Sequence, residues 1–140
     1  MSRCSFWMIA GLLAVAPDSL AATRTLNVAA DNTLFQDPMG AVSNGVGPHF
    51  YVGPNGFGLI RRACVRFDES TIPTGAFITS AALTVNLSKP ELGPYSQVSI
   101  HRVLQSWGEG TSNAGTPGGG GTFATSGDAT WVHRFFGAET

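Results

Sequence analysis

The sequence predicts an all-β fold, a β-sandwich of jelly-roll type, and three observations carry that expectation. Apolar and polar residues alternate at period two in several short runs, as in strands with one buried face. Clusters of Gly, Pro, Asn and Asp separate those runs at short spacing. No stretch after residue 22 keeps a helical period, and the 18 glycines and 8 prolines suit turns better than helices.

The runs are read in chain order. Leu26 and Val28 alternate within residues 25–29. Residues 49–52 read as a short aromatic strand, ended by the turn signal Gly53-Pro54-Asn55-Gly56. Residues 62–68 are the cleanest strand. Ala63, Val65 and Phe67 share one face, and Arg62, Cys64, Arg66 and Asp68 share the other. Ile72-Pro73-Thr74-Gly75 is a turn, and Leu83, Val85 and Leu87 then alternate with Thr84, Asn86 and Ser88. Lys89-Pro90 and Gly93-Pro94 punctuate the next connection. Val98 and Ile100 alternate, and a bulge near His101 would restore parity at Val103. Residues 113–127 hold six glycines and no charge and read as a flexible surface loop. Residues 130–136 read as the last strand, with Trp131, His133 and Phe135 opposite Val132, Arg134 and Phe136. The chain stops at Thr140 soon afterwards, so the sandwich is expected to be incomplete at its C-terminal end.

Residues 1–21 have a different character. Arg3 precedes the uncharged apolar run of residues 5–16, Pro17 and Asp18 break it, and Ser19 and Ala21 are small residues at −3 and −1. This is the pattern of a secretory signal peptide cut after Ala21. The run is too short to span a bilayer, which takes about 20 residues. The expected product is a single domain, residues 22–140, secreted or displayed at the cell surface, with no membrane span after cleavage. Cys64 would then be the only cysteine left, so no disulfide can form within the chain. Asn86-Leu87-Ser88 matches a glycosylation sequon.

Composition and motifs exclude several functions. The formal charge of −1 gives no basic excess for nucleic acid. There is no nucleophile elbow, and the glycine run 118–121 lacks the Lys-Ser/Thr of a phosphate loop. His49, His101 and His133 lie on separate runs with no ligand spacing, so no metal or other cofactor is expected. Glu109 and Asp128 lie near tryptophans and are the one carboxylate pair a glycoside hydrolase would draw on. The more ordinary role for them is to accept backbone hydrogen bonds at turns.

Aromatic and arginine residues point instead to a binding face. Aromatic rings stack on sugar rings, and planar guanidinium groups hold hydroxyls or carboxylates. Tyr51, Tyr95, Trp107 and Trp131 lie on or beside strands, Arg62 and Arg66 share a strand face, and Arg61 adjoins them. The candidate ligand-binding residues are Arg61, Arg62, Arg66, Tyr51, Tyr95 and His101. The competing reading is a solvated arginine face and tryptophans that fill the core.

The same residues carry a family resemblance. Ile60-Arg61-Arg62-Ala63, Val65-Arg66-Phe67-Asp68, Ile72-Pro73-Thr74-Gly75-Ala76 and Ile78-Thr79-Ser80-Ala81-Ala82-Leu83-Thr84 resemble blocks of the DNRLRE (disaggregatase-related) domain, which is grouped among the carbohydrate-binding modules. So do His101-Arg102-Val103-Leu104, Trp107-Gly108-Glu109-Gly110-Thr111-Ser112 and Gly127-Asp128-Ala129-Thr130-Trp131. The resemblance runs from about Thr25 to Phe136. It implies a secreted β-sandwich that binds polysaccharide without catalysis, in some members an acidic one such as alginate. It also implies a catalytic or anchoring domain elsewhere in a longer gene product. By position, Trp107, Glu109, Thr130 and Trp131 match the family's marked residues, and their expected role is structural. Cys64 departs from the pattern, which has an ordinary apolar residue there. The rival function is a structural module of a cell-surface or extracellular-matrix protein.

Overall fold

The computed structural model of the protein describes residues 22–89 and 97–138. The expected signal segment and the connection that holds Tyr95 lie outside the described residues. Strands are the only regular elements among the described residues: β1 (Val28–Phe35), β2 (Val42–Ser43), β3 (Gly53–Pro54), β4 (Ile60–Phe67) and β5 (Thr122–Phe123). The fold is all-β and every strand pair is antiparallel. One sheet has the order β1-β4-β3, and a second joins β2 to β5.

The β1–β4 ladder is the backbone of the fold. It pairs Phe35 with Arg61, Asn32 with Cys64 and Ala30 with Arg66. The register slips between Val28 and Ala30, so Ala29 is an extra residue on β1 and the strand carries a bulge there. The β3–β4 hairpin closes on Asn55, as the turn signal suggests. Asn55 Oδ1 accepts the Phe57 and Leu59 N–H groups, both at 2.9 Å.

The buried interior is mostly polar. Ala30, Phe35 and Ala129 are its apolar members, beside Asn32, Thr33, Ser43, Asn44, Ser112, Asp128 and Thr130. Burying such groups is costly unless each finds a partner. Here each one does. Asn32 Nδ2 donates to Glu109 O at 2.8 Å, and the Ser43 hydroxyl lies between Asn32 Oδ1 at 3.0 Å and Ala129 O at 2.9 Å. Asn44 Nδ2 donates to His49 O, and its Oδ1 accepts the Ala114 N–H. Ser112 Oγ accepts the Gly45 N–H, and Thr33 Oγ1 accepts the Tyr51 N–H. Among the described residues no buried side-chain polar atom lacks a partner.

Six sequence expectations are corrected. The runs 83–87 and 98–103 form no strand, and residues 77–88 and 97–105 make no backbone–backbone hydrogen bond among the described residues. Their apolar side chains stay in solvent, Leu87 at 75% and Ile100 at 75% exposure. Alternation supplies a strand with an apolar face, but a ladder also needs a facing strand, and none lies alongside among the described residues. The expected bulge near His101 falls with that strand.

The run 130–136 is a tight return instead of a strand. Thr130 Oγ1 accepts the His133 N–H at 3.1 Å, and Thr130 N–H reaches His133 O at 2.9 Å. Such a local side-chain bond competes with a strand ladder. Residues 49–52 are likewise not a strand, which begins only at Gly53. The glycine-rich segment 113–127 is more than loop. It contains β5, and Gly118 within it is buried.

Candidate functional site

Strand β4 sets the geometry of the site. Side chains alternate across a strand, so Arg62, Cys64 and Arg66 share one face and Arg61 belongs to the other. Arg62 and Arg66 are exposed, and Cys64 between them is half-buried. The Arg62 guanidinium lies over the Trp131 ring, 4.6 Å from its centroid, and that of Arg66 lies 5.9 Å from the Trp107 centroid. Both distances fall within cation–π range. Neither guanidinium makes a hydrogen bond or ion pair among the described residues. Each guanidinium carbon lies near a tryptophan ring, and its N–H donors have no hydrogen-bond partner among the described residues.

The two tryptophans are placed by one cluster of crossing segments. Gly108 N–H donates to Arg134 O at 3.0 Å, and Ala129 N–H donates to Gly108 O at 2.8 Å. Phe136 N–H donates to Asp128 O at 2.7 Å, and Gly127 N–H to Phe136 O at 2.8 Å. Two glycines permit this crossing. A Cβ on Gly108 would collide with the Gly127 carbonyl. Gly110 takes φ 68°, and a Cβ there would strike the Asp128 carboxylate.

The acidic residues of these motifs act within the fold. Asp128 is fully buried and accepts N–H groups from Thr125 at 2.6 Å and Ser112 at 3.3 Å. Glu109 Oε1 accepts the Asp31 N–H at 3.0 Å, and Glu109 O accepts from Asn32. Burial first, and the Glu109 charge second, raise the Asp31 carboxyl above its ordinary value. Thr130 is buried, and its hydroxyl lies 3.0 Å from His133 Nδ1. Burial pushes the Cys64 thiol up. Among the described residues no group of three or more metal-ligating side chains assembles.

Arg61 is a different kind of arginine. Its Nε donates to Gly53 O at 3.2 Å, Nη1 to Gly119 O at 3.2 Å and Nη2 to Pro54 O at 2.6 Å. It also lies 5.4 Å from the Tyr51 ring centroid. The Tyr51 hydroxyl donates to Pro117 O. Together Arg61 and Tyr51 tie the glycine-rich segment to the β3–β4 hairpin. The guanidinium faces carbonyls that already use its donors, so Arg61 serves the fold, whereas Arg62 and Arg66 make no hydrogen bond among the described residues.

A cleft of about 310 Å³ opens beside this tether, lined by Phe35, Asp37, Asn55, Leu59 and Arg61 among others. Its polar groups are engaged. The Asp37 carboxylate accepts the Met39 and Ala41 N–H groups, and Gln36 Oε1 accepts that of Ile60. The cleft therefore presents apolar walls and few open donors.

His101 is exposed on the segment without a ladder, and no hydrogen bond or ring contact ties it to the arginines. Tyr95 lies outside the described residues. Sequence reading missed the Asp31–Glu109 contact and the Asn32–Ser43 network. The two arginine–tryptophan pairings were also missed, although all four residues were singled out separately. Only the strand period of Arg62 and Arg66 signalled that two of them face the same way. No protein-family model, curated protein or solved structure matches the chain, so the likeness to the DNRLRE domain rests on the motifs quoted above.

Proposed function

We propose that the protein is an exported, non-catalytic carbohydrate-binding module that holds an acidic polysaccharide on the Arg62–Arg66 face of β4. The single observation that carries this reading is the pair of exposed arginines on one strand face, each with its guanidinium near a tryptophan ring and without a hydrogen-bond partner among the described residues. A planar fork restrained by a neighbouring ring is partly ordered before the ligand arrives, which lowers the entropy lost on binding. Such a fork matches a uronate carboxylate in two parallel bonds. The tryptophans contribute by orienting arginine more than by stacking on sugar, because each ring already lies beside a guanidinium.

The export pattern of residues 1–21 supports delivery to where such polymers occur. The small β2–β5 sheet beside the β1-β4-β3 sheet favours two leaves of a sandwich, with the DNRLRE motifs as a second support. The roles of Asp128 and Glu109 in accepting backbone hydrogen bonds argue for binding over hydrolysis.

Retention on immobilised polymers tests the proposal. The protein should be retained on alginate and pectate, pass through cellulose, and elute with added salt, because exposed charges are screened over about 10 Å at 0.1 M. R62A and R66A should each weaken retention. Passage of the wild type through all three matrices would refute the proposal.

A further inference from the structure

The spacing of the two arginines along β4 bears on the size and shape of the ligand. We infer that the site reads an extended internal run of about three or more linked sugar rings laid along β4, and that it takes neither a single sugar nor a chain end alone. This rests on the reading of the face as an acidic-glycan site. Arg62 and Arg66 are four residues apart on one strand face, so their backbone origins lie about 13 Å apart at the rise of a strand. A pyranose is crossed in about four single bonds, roughly 5 Å between its glycosidic oxygens at ordinary bond lengths. One ring therefore meets one guanidinium. About three rings in line are needed before carboxylates reach both.

The ground between the anchors fits this reading. Cys64 is the residue of the same face between them, and it is small and half-buried. No long side chain rises from β4 there to block a chain lying from one arginine to the other. On the neighbouring strand Leu34, Asn32 and Ala30 pair with Arg62, Cys64 and Arg66, and Asn32 and Ala30 are buried, Asn32 against the Glu109 carbonyl, so a chain spanning the anchors lies over β4 itself and not over β1.

Linked contacts convert the second anchor into an intramolecular event, and affinity then jumps when the ligand becomes long enough to span both. Calorimetric titration of the full chain with uronate oligomers, from monomer to hexamer, measures that jump. Monomer and dimer should bind weakly, and affinity should rise by at least about tenfold near three or four units and then level off. R62A and R66A should each return the hexamer to dimer-like affinity. R62K and R66K, which keep the charge but lose the fork, should fall between, and circular dichroism should show the wild-type fold in all four variants. A monomer that binds as tightly as the hexamer would overturn the two-anchor inference while leaving glycan binding intact. A length-dependent rise that survives either alanine variant would overturn it too. Failure of every oligomer to bind would overturn it together with the proposed function.

Discussion

Asn32 shows what a single residue does in this interior. Its amide joins β1 to Glu109 and faces the Ser43 hydroxyl, with no exposure to solvent. Asn32→Ala should cost about 2–3 kcal/mol in urea unfolding, since it leaves the Glu109 carbonyl and Ser43 short of partners in a dry site. None of this was legible in the sequence, where nothing in Asp31-Asn32-Thr33 signals that the asparagine is buried. Asp31 makes a contrasting case. Its carboxyl ionises in the unfolded chain near pH ~3.9 and at a higher pH in the folded one. Between those values the folded state holds more protons, so the contribution of Asp31 to stability falls as pH rises through that window. Asp31→Asn should therefore be more stable than the wild type in urea at pH 7, with the gap closing at pH 3. A gap that widens toward acid would contradict this cause.

At the scale of elements, β4 was legible and most of its neighbours were not. Its alternation of Ala63, Val65 and Phe67 with arginines gave the strand, and the Asn55 turn gave the hairpin. Strand β1 was seen only at its start, because Asp31, Asn32 and Thr33 break the apolar alternation by burying polar groups. The returns at 130–136 and 113–127 are set by Thr130, Arg61 and Tyr51, whose partners lie far along the chain or depend on a local turn. Hydrogen exchange should divide the molecule accordingly. Amides of β1 and β4 should be the slowest, and those of residues 77–88 and 97–105 should exchange at once, since they make no backbone ladder among the described residues. Val85→Thr, at a 58% exposed site, should change stability by less than about 0.5 kcal/mol. A loss of several times that would mean Val85 is packed.

At the scale of the whole molecule, the described residues join a small polar-cored scaffold to a surface rich in apolar side chains and a strand face that carries two exposed arginines. The scaffold explains why Arg61 and Arg62, adjacent in sequence, have different work. Strand alternation turns Arg61 toward the β3 and Gly119 carbonyls and Arg62 toward Trp131. Sequence could name the arginines and tryptophans but could not pair them, because Trp107 and Trp131 reach β4 only through the crossing of residues 108, 127–129 and 134–136. Arg61→Ala should accordingly lower stability and loosen the glycine-rich segment while leaving glycan affinity nearly unchanged. The most direct test of the account watches the guanidiniums themselves. In an NMR titration of the Arg Nε–Hε signals with an acidic polysaccharide, Arg62 and Arg66 should shift with saturation while Arg61 stays in place. Unmoved Arg62 and Arg66 signals during saturable binding, or a shift confined to Arg61, would contradict it.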